Sequence, residues 1–177
     1  LPKKPHVATI GMGMTVSKVE ALISLIKNLK SNGTRLVLDA SALIPKVITE
    51  ITETGTIITP HAGEFKRIFN QDVGISEEDI ISSATRMASR HKITIILKGW
   101  LNVIADPSGK VATIKRSTPA MTVGGTGDVL AGLVAALYSK INCSFDASAL
   151  GIYFNGLAAR FAYERVGLHM VATDLIE

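Results

Sequence analysis

Met121-Thr122-Val123-Gly124-Gly125-Thr126-Gly127-Asp128-Val129-Leu130-Ala131-Gly132 is where the chain turns from loop to helix. Glycines and a threonine lead into an acidic residue, and an apolar run to Leu137 follows. A helix N-terminus collects unpaired backbone N–H groups and the positive end of the macrodipole, so the place suits an anion. Glycine lets the backbone approach a phosphate closely. A plain helix cap does not require Gly-Gly-Thr-Gly before the carboxylate, which favours a working role for Asp128 beside that anion.

Working outward from this loop, short apolar runs alternate with helical patterns. His6–Ile10, Arg35–Asp39, Thr56–Thr59 and Ile93–Leu97 read as buried strands. Val19, Leu22, Ile23, Ile26 and Leu29 fall at helical spacing, and Asn32-Gly33 stops that helix. Further helices are expected over Pro45–Thr52, from His61 through Phe69, and from Ser76 to Arg90, where Ser76-Glu77-Glu78-Asp79 forms a capping-box pattern. Asp106-Pro107-Ser108-Gly109 supplies turn chemistry for a hairpin between Asn102–Ala105 and Val111–Ile114. Two helices, 127–140 and 146–165, close the chain around Asn142-Cys143-Ser144. Continuously apolar strands between helices imply an α/β fold, a mostly parallel sheet with helices on both faces.

Composition narrows the function. The 177 residues are enough for one domain with a sizeable core, and 47% hydrophobic residues exclude a disordered chain. A net charge of +4 with scattered lysines gives nucleic-acid binding no support. No apolar run reaches membrane-spanning length, and no secretory signal is visible. The single Cys143 excludes an internal disulfide and fits a reducing, cytoplasmic compartment.

In such sheets ligands bind beyond the carboxyl ends of the strands. Gly11 and Gly13, Asp39, His61 with Glu64, Lys98, and the glycine loop all fall at that edge. Each has a plainer reading: a tight turn for the glycines, a helix cap for Asp39, a loop histidine for His61, a dipole partner for Glu64, a solvated lysine for Lys98. Trp100 fits base stacking and plain packing equally. Their coincidence on one edge is the argument for a site.

Gly125-Thr126-Gly127-Asp128 resembles the anion-hole and catalytic-base motif of the ribokinase-like superfamily. Joined to Leu38-Asp39-Ala40-Ser41-Ala42-Leu43, Thr59-Pro60-His61-Ala62-Gly63-Glu64, Leu97-Lys98-Gly99, Thr118-Pro119-Ala120-Met121 and Val171–Ile176, it is similar to the ADP/ATP-dependent NAD(P)H-hydrate dehydratases, often the C-terminal domain of a bifunctional nicotinamide-repair protein. The resemblance runs from Val7 to the last residue. It implies a three-layer αβα domain over residues 1–177. It also implies an enzyme that spends ADP or ATP, with Mg2+, to restore NADH or NADPH from the hydrated form. Asp128 would be the catalytic base on the ring hydroxyl. Gly13, His61 and Asp128 would contact the hydrated dinucleotide. Lys98, Gly99, Trp100, Leu101, Asn102, Gly125, Thr126 and Gly127 would bind the nucleotide, and Glu64 would act on magnesium indirectly through water.

The sequence departs from that family pattern at four places. Gly11-Met12-Gly13-Met14-Thr15 stands for Gly-Pro-Gly-Leu-Gly, Ala62 for proline, Ile44 for asparagine, and Lys98-Gly99-Trp100-Leu101-Asn102 for a Lys-Gly-Ala-Gly-Thr type. The resemblance implies further strands and helices before the equivalent of His6, so the expectation is either a piece of a longer product or a shortened relative. The expectation is a sheet completed by a missing N-terminal segment or by a homo-oligomer partner. Two alternative functions share the loop chemistry: a small-molecule kinase of the same superfamily, and a non-catalytic nucleotide-binding subunit.

Overall fold

The computed structural model describes residues 4–52, 55–116 and 118–177. Six strands form one sheet in sequential order: β1 Val7–Ile10, β2 Arg35–Leu38, β3 Ile57–Ile58, β4 Thr94–Leu97, β5 Leu101–Ala105 and β6 Val111–Lys115. The first four are parallel, and β4-β5-β6 are antiparallel. The sheet is thus parallel up to the hairpin and antiparallel beyond it. The hairpin turn is tied by Asp106, whose Oδ1 accepts from the backbone N–H groups of Ser108 and Lys110 at 2.9 Å each.

The central strands β2, β3 and β4 are almost wholly apolar because both faces are covered, whereas β6 carries the exposed Thr113 and Lys115. Leu36 and Leu38 of β2, and Ile95 and Leu97 of β4, point into one core, while Val37 and Ile96 point into the other. The first core is closed by α1 Val19–Ser31, α2 Pro45–Glu50, α3 Ala62–Phe69 and α4 Glu77–His91. The second is closed by α5 Thr126–Lys140 and α6 Ser144–Val166. The helices therefore form two outer layers on a central sheet, as the alternation of elements implies.

Local signals explain the helix ends. Ser76 Oγ accepts from the Asp79 N–H at 3.1 Å, and Asp79 Oδ2 accepts from the Ser76 N–H at 3.4 Å, completing the expected capping box. Pro45 stands at the first turn of α2, where its missing N–H costs nothing. The last helix begins at Ser144 rather than 146, directly after the short link from α5. A small third cluster, including Ala159, Ala162, Met170 and Leu175, ties α6 to the C-terminal turn Ala172–Leu175.

Among the described residues β1 pairs only with β2, so its outer edge is open. Val7, Ala8 and Thr9 are only partly buried there.

Candidate nucleotide site at the carboxyl edge of the sheet

The polar residues singled out in the sequence gather where the parallel strands end. Gly11 closes β1 with φ +125°, and a Cβ on it would fall 1.8 Å from the Asp39 carbonyl oxygen. Only glycine lets the loop after β1 run this close to the loop after β2. Ser41 Oγ locks the same crossing by donating to the Gly11 carbonyl at 2.6 Å. Gly13 lies further out, with φ +64° and open space around it.

Asp39 follows β2 and is 1% exposed. It makes no capping hydrogen bond to the turn Ala40–Ala42, contrary to the plain reading of a strand-end aspartate. Instead its Oδ1 accepts from Lys98 Nζ at 2.8 Å. A buried carboxylate needs such a partner, because an isolated charge is costly out of water. Lys98 is held in place by its own backbone, whose N–H donates to the Pro60 carbonyl at 2.8 Å. That bond makes the bridge between His61 and Lys98 which extends the parallel sheet past β3.

Gly127 completes this cluster. A Cβ on it would lie 3.2 Å from Lys98 Nζ and 3.8 Å from Asp39 Oδ2. The ion pair therefore sits against the first turn of α5, where the helix presents free N–H groups. Gly125 is the N-cap in a left-handed conformation, φ +92°. A side chain there would come 2.9 Å from the Ala172 Cβ, so the C-terminal turn packs onto the glycine loop. Thr126 Oγ1 lies 3.0 Å from the carbonyls of both Met121 and Val123 and closes the loop on itself. Asp128, third residue of the helix, is exposed and has no hydrogen bond or ion pair among the described residues.

His61 is the N-cap of α3 rather than a loop histidine. Its Nδ1 accepts from the backbone N–H of Gly63 at 3.0 Å and of Glu64 at 3.3 Å. Glu64 Oε2 accepts from the His61 N–H at 2.9 Å, so the two side chains cap one another. An Nδ1 that accepts leaves the proton on Nε2, which lies 3.6 Å from Glu64 Oε2 on a side chain that is 60% exposed. Glu64 is buried, with its carboxylate occupied by the cap.

A cavity of about 270 Å³ opens beside the loop, and Lys98, Gly99, Asn102, Thr126 and Gly127 line it. The Asn102 amide is engaged in the wall: Oδ1 accepts from the Gly99 N–H at 3.3 Å, and Nδ2 donates to the Ile114 carbonyl at 3.2 Å. Of the other expected nucleotide residues, Leu101 buries its side chain in the first core, and Trp100 turns outward with the Lys115 ammonium 5.9 Å from its ring centre. Neither lines the cavity, nor does Gly125. The remaining wall was not singled out in the sequence. It includes Ile114, Leu130, Ile152 and Asn155, with Arg116 and Arg160 as cations. A lone polar residue in the apolar stretch Ile152–Leu157 was the available signal for Asn155. An apolar slot with cations at its rim and an anion-binding helix terminus at one end suits a phosphorylated ligand with a flat apolar part.

A family model described as NAD(P)H-hydrate dehydratase matches residues 2–177. The chain belongs to the NAD(P)H-hydrate dehydratase family. An ADP-dependent (S)-NAD(P)H-hydrate dehydratase of Nitrosopumilus maritimus is 43% identical over 176 residues, 99% of this chain and 61% of that relative. The ADP/ATP-dependent NAD(P)H-hydrate dehydratase of Bacillus subtilis, co-crystallised with ATP and Mg2+, superposes with a TM-score of 0.85 at 26% identity, over 99% of this chain and 62% of that one. A ribokinase-like superfamily protein of Enterococcus faecalis shares the fold, with a TM-score of 0.78 at 21% identity over 96% of this chain and 60% of that one. The dehydratase fold is thus ribokinase-like α/β. The chain spans about three fifths of the length of the dehydratases it matches.

Proposed function

We propose that the protein uses ADP or ATP to dehydrate hydrated NADH or NADPH and so restores the reduced dinucleotide. The observation that carries this reading is the placement of the Asp39–Lys98 pair against Gly127, at the terminus that precedes Asp128. The family membership and the names of its relatives support it.

The terminal phosphoryl group would lie over the N–H groups of Gly125, Thr126 and Gly127, with Lys98 beside it. These groups stabilise charge that spreads over the phosphoryl oxygens during transfer. Asp128, with no partner of its own, takes the proton of the ring hydroxyl as that oxygen attacks phosphorus. The phosphorus–oxygen bond to the nucleotide breaks, leaving AMP from ADP or ADP from ATP. The C–O bond of the phosphate ester then breaks, phosphate leaves, the adjacent carbon loses a proton, and the ring double bond returns. His61 would offer Nε2–H to the hydrated dinucleotide from the loop after β3, with Gly13 in the loop after β1 on the same edge of the sheet. Lys98, Gly99, Asn102, Thr126 and Gly127 form the nucleotide side.

Magnesium fits as an ion carried in by the nucleotide phosphates, whose charge it neutralises. Among the described residues no three His, Cys, Asp or Glu side chains cluster, and Glu64 would act on the ion through water. The open edge of β1 supports a sheet completed by a further segment or by a second copy of the chain. Residues 1–177 are read as one domain, and the lone Cys143 fits the reducing cytoplasm.

The test is incubation with hydrated NADH and either nucleotide, following the return of the reduced-nicotinamide absorbance. Return of the absorbance supports the dehydratase. A stable phosphorylated product in its place indicates a kinase, and nucleotide binding with no consumption indicates a binding subunit.

A further inference from the structure

Asn155 sits in the middle of α6 and lines the cavity beside the glycine loop. It is 3% exposed, and among the described residues its Oδ1 is the buried side-chain oxygen or nitrogen that lacks a hydrogen-bond partner. Ser148, the other buried polar residue of the helix, is satisfied by donating to the Ser144 carbonyl at 2.7 Å. Leaving a buried acceptor unpaired is unfavourable, and a leucine of similar shape would remove the penalty. The amide therefore makes sense as half of a contact whose other half arrives with a ligand.

The surroundings say which ligand group that is. Ile114, Leu130 and Ile152 make the neighbouring wall apolar, while Lys98 and Gly127 stand at the phosphate end. A flat heterocycle with a polar edge fits the apolar part. The terminal torsion of asparagine is soft, so Oδ1 can swing to the cavity without backbone change. Its amide then offers an acceptor beside a donor, the complement of the amine and ring nitrogen on one edge of adenine.

We propose that Asn155 reads the base of the nucleotide, accepting a hydrogen bond from the exocyclic amine of adenine, and so sets a preference for adenine nucleotides. This rests on the nucleotide-site reading above. Purine riboside diphosphate is the matched probe, because it replaces that amine with a hydrogen, leaves Oδ1 without a donor in either amide rotamer, and keeps the sugar and phosphates.

Calorimetric titration of wild type and Asn155→Leu with ADP and with purine riboside diphosphate tests it. Wild type is expected to bind ADP about tenfold or more tightly than purine riboside diphosphate, the worth of one well-placed hydrogen bond whose loss strands its partner. Asn155→Leu is expected to weaken ADP by a similar factor and to bring the two nucleotides within about twofold of each other. An unchanged preference in the variant overturns the assignment of Asn155 and leaves the nucleotide site standing. Wild type that binds neither nucleotide overturns the site itself, and the inference with it. A measurement on wild type alone covers a variant that fails to fold. The side-chain amide resonances of Asn155 should move on addition of ADP and stay in place with pyrophosphate. Resonances that ignore ADP contradict the proposal.

Discussion

The ammonium of Lys98 lies 2.8 Å from the carboxylate of Asp39, although 59 residues separate them in the chain. The Asp39 side chain is 2% exposed and that of Lys98 21%. Removing one partner leaves the other charge poorly solvated, which for buried pairs costs about 3 kcal/mol or more. Lys98→Met should therefore lower the urea midpoint substantially. The double change Asp39→Asn with Lys98→Met should recover most of that loss. Additive losses in the double variant would show that the two side chains do not depend on one another.

His61 combines two jobs that substitution can separate. Its Nδ1 caps α3, and its Nε2 lies 3.6 Å from Glu64 Oε2 on an exposed side chain. His61→Asn keeps a side-chain acceptor at the N-cap and removes the Nε2–H, whereas His61→Ala removes both. The asparagine variant should stay close to wild type in stability while its KM for the hydrated dinucleotide rises. The alanine variant should in addition lose about 1 kcal/mol. Equal KM values for wild type and His61→Asn would dismiss the substrate contact.

Acid should weaken the fold through His91. Burial against its surroundings, which include the Phe69 ring 5.0 Å away, holds its pKa below the ordinary imidazole value, and the charge of Arg90 adds to this. The folded protein then binds that proton less readily than the unfolded chain. The associated stability is complete above about pH 6.5 and is lost as pH falls through the lower folded value. Urea midpoints between neutrality and mild acid should fall more for wild type than for His91→Phe. Parallel slopes would contradict this.

The open edge of β1 makes a statement about association. An unpaired strand edge is a template for further pairing. Light scattering on the eluting peak should find the chain of residues 1–177 larger than a monomer. A well-behaved monomer at high concentration would remove the argument that a partner covers that edge.

How far the sequence could be read depends on how local each signal is. The strands were legible because two covered faces demand apolar residues at every position, as in Leu36-Val37-Leu38 and Ile95-Ile96-Leu97. The capping box at Ser76 and the turn at Asp106–Gly109 are written within four residues. The carboxyl edge was legible as a set of segments, since strand direction alone brings Asp39, His61 and Lys98 together. Their pairing was not: a cap and a site residue fitted Asp39 equally, and only the fold reveals Lys98 as its partner. Trp100 and Leu101 follow Lys98 in sequence, yet the turn into β5 sends one outward and the other into the core. Asn155 carries no local pattern, because a single polar residue in a 23-residue helix acquires meaning only from the cavity it faces.

In the proposed reaction Asp128 acts on a hydroxyl held beside a nucleotide phosphate. The most direct measurement compares wild type with Asp128→Asn in two assays of the same preparations: recovery of reduced-nicotinamide absorbance from hydrated NADH with ADP or ATP, and binding of the nucleotide alone. Wild type should recover the absorbance, the variant should lose at least about 100-fold in rate, as expected when a positioned base is removed, and both should bind the nucleotide. Full turnover by Asp128→Asn, or no recovery by wild type that binds the nucleotide, would contradict the proposed reaction.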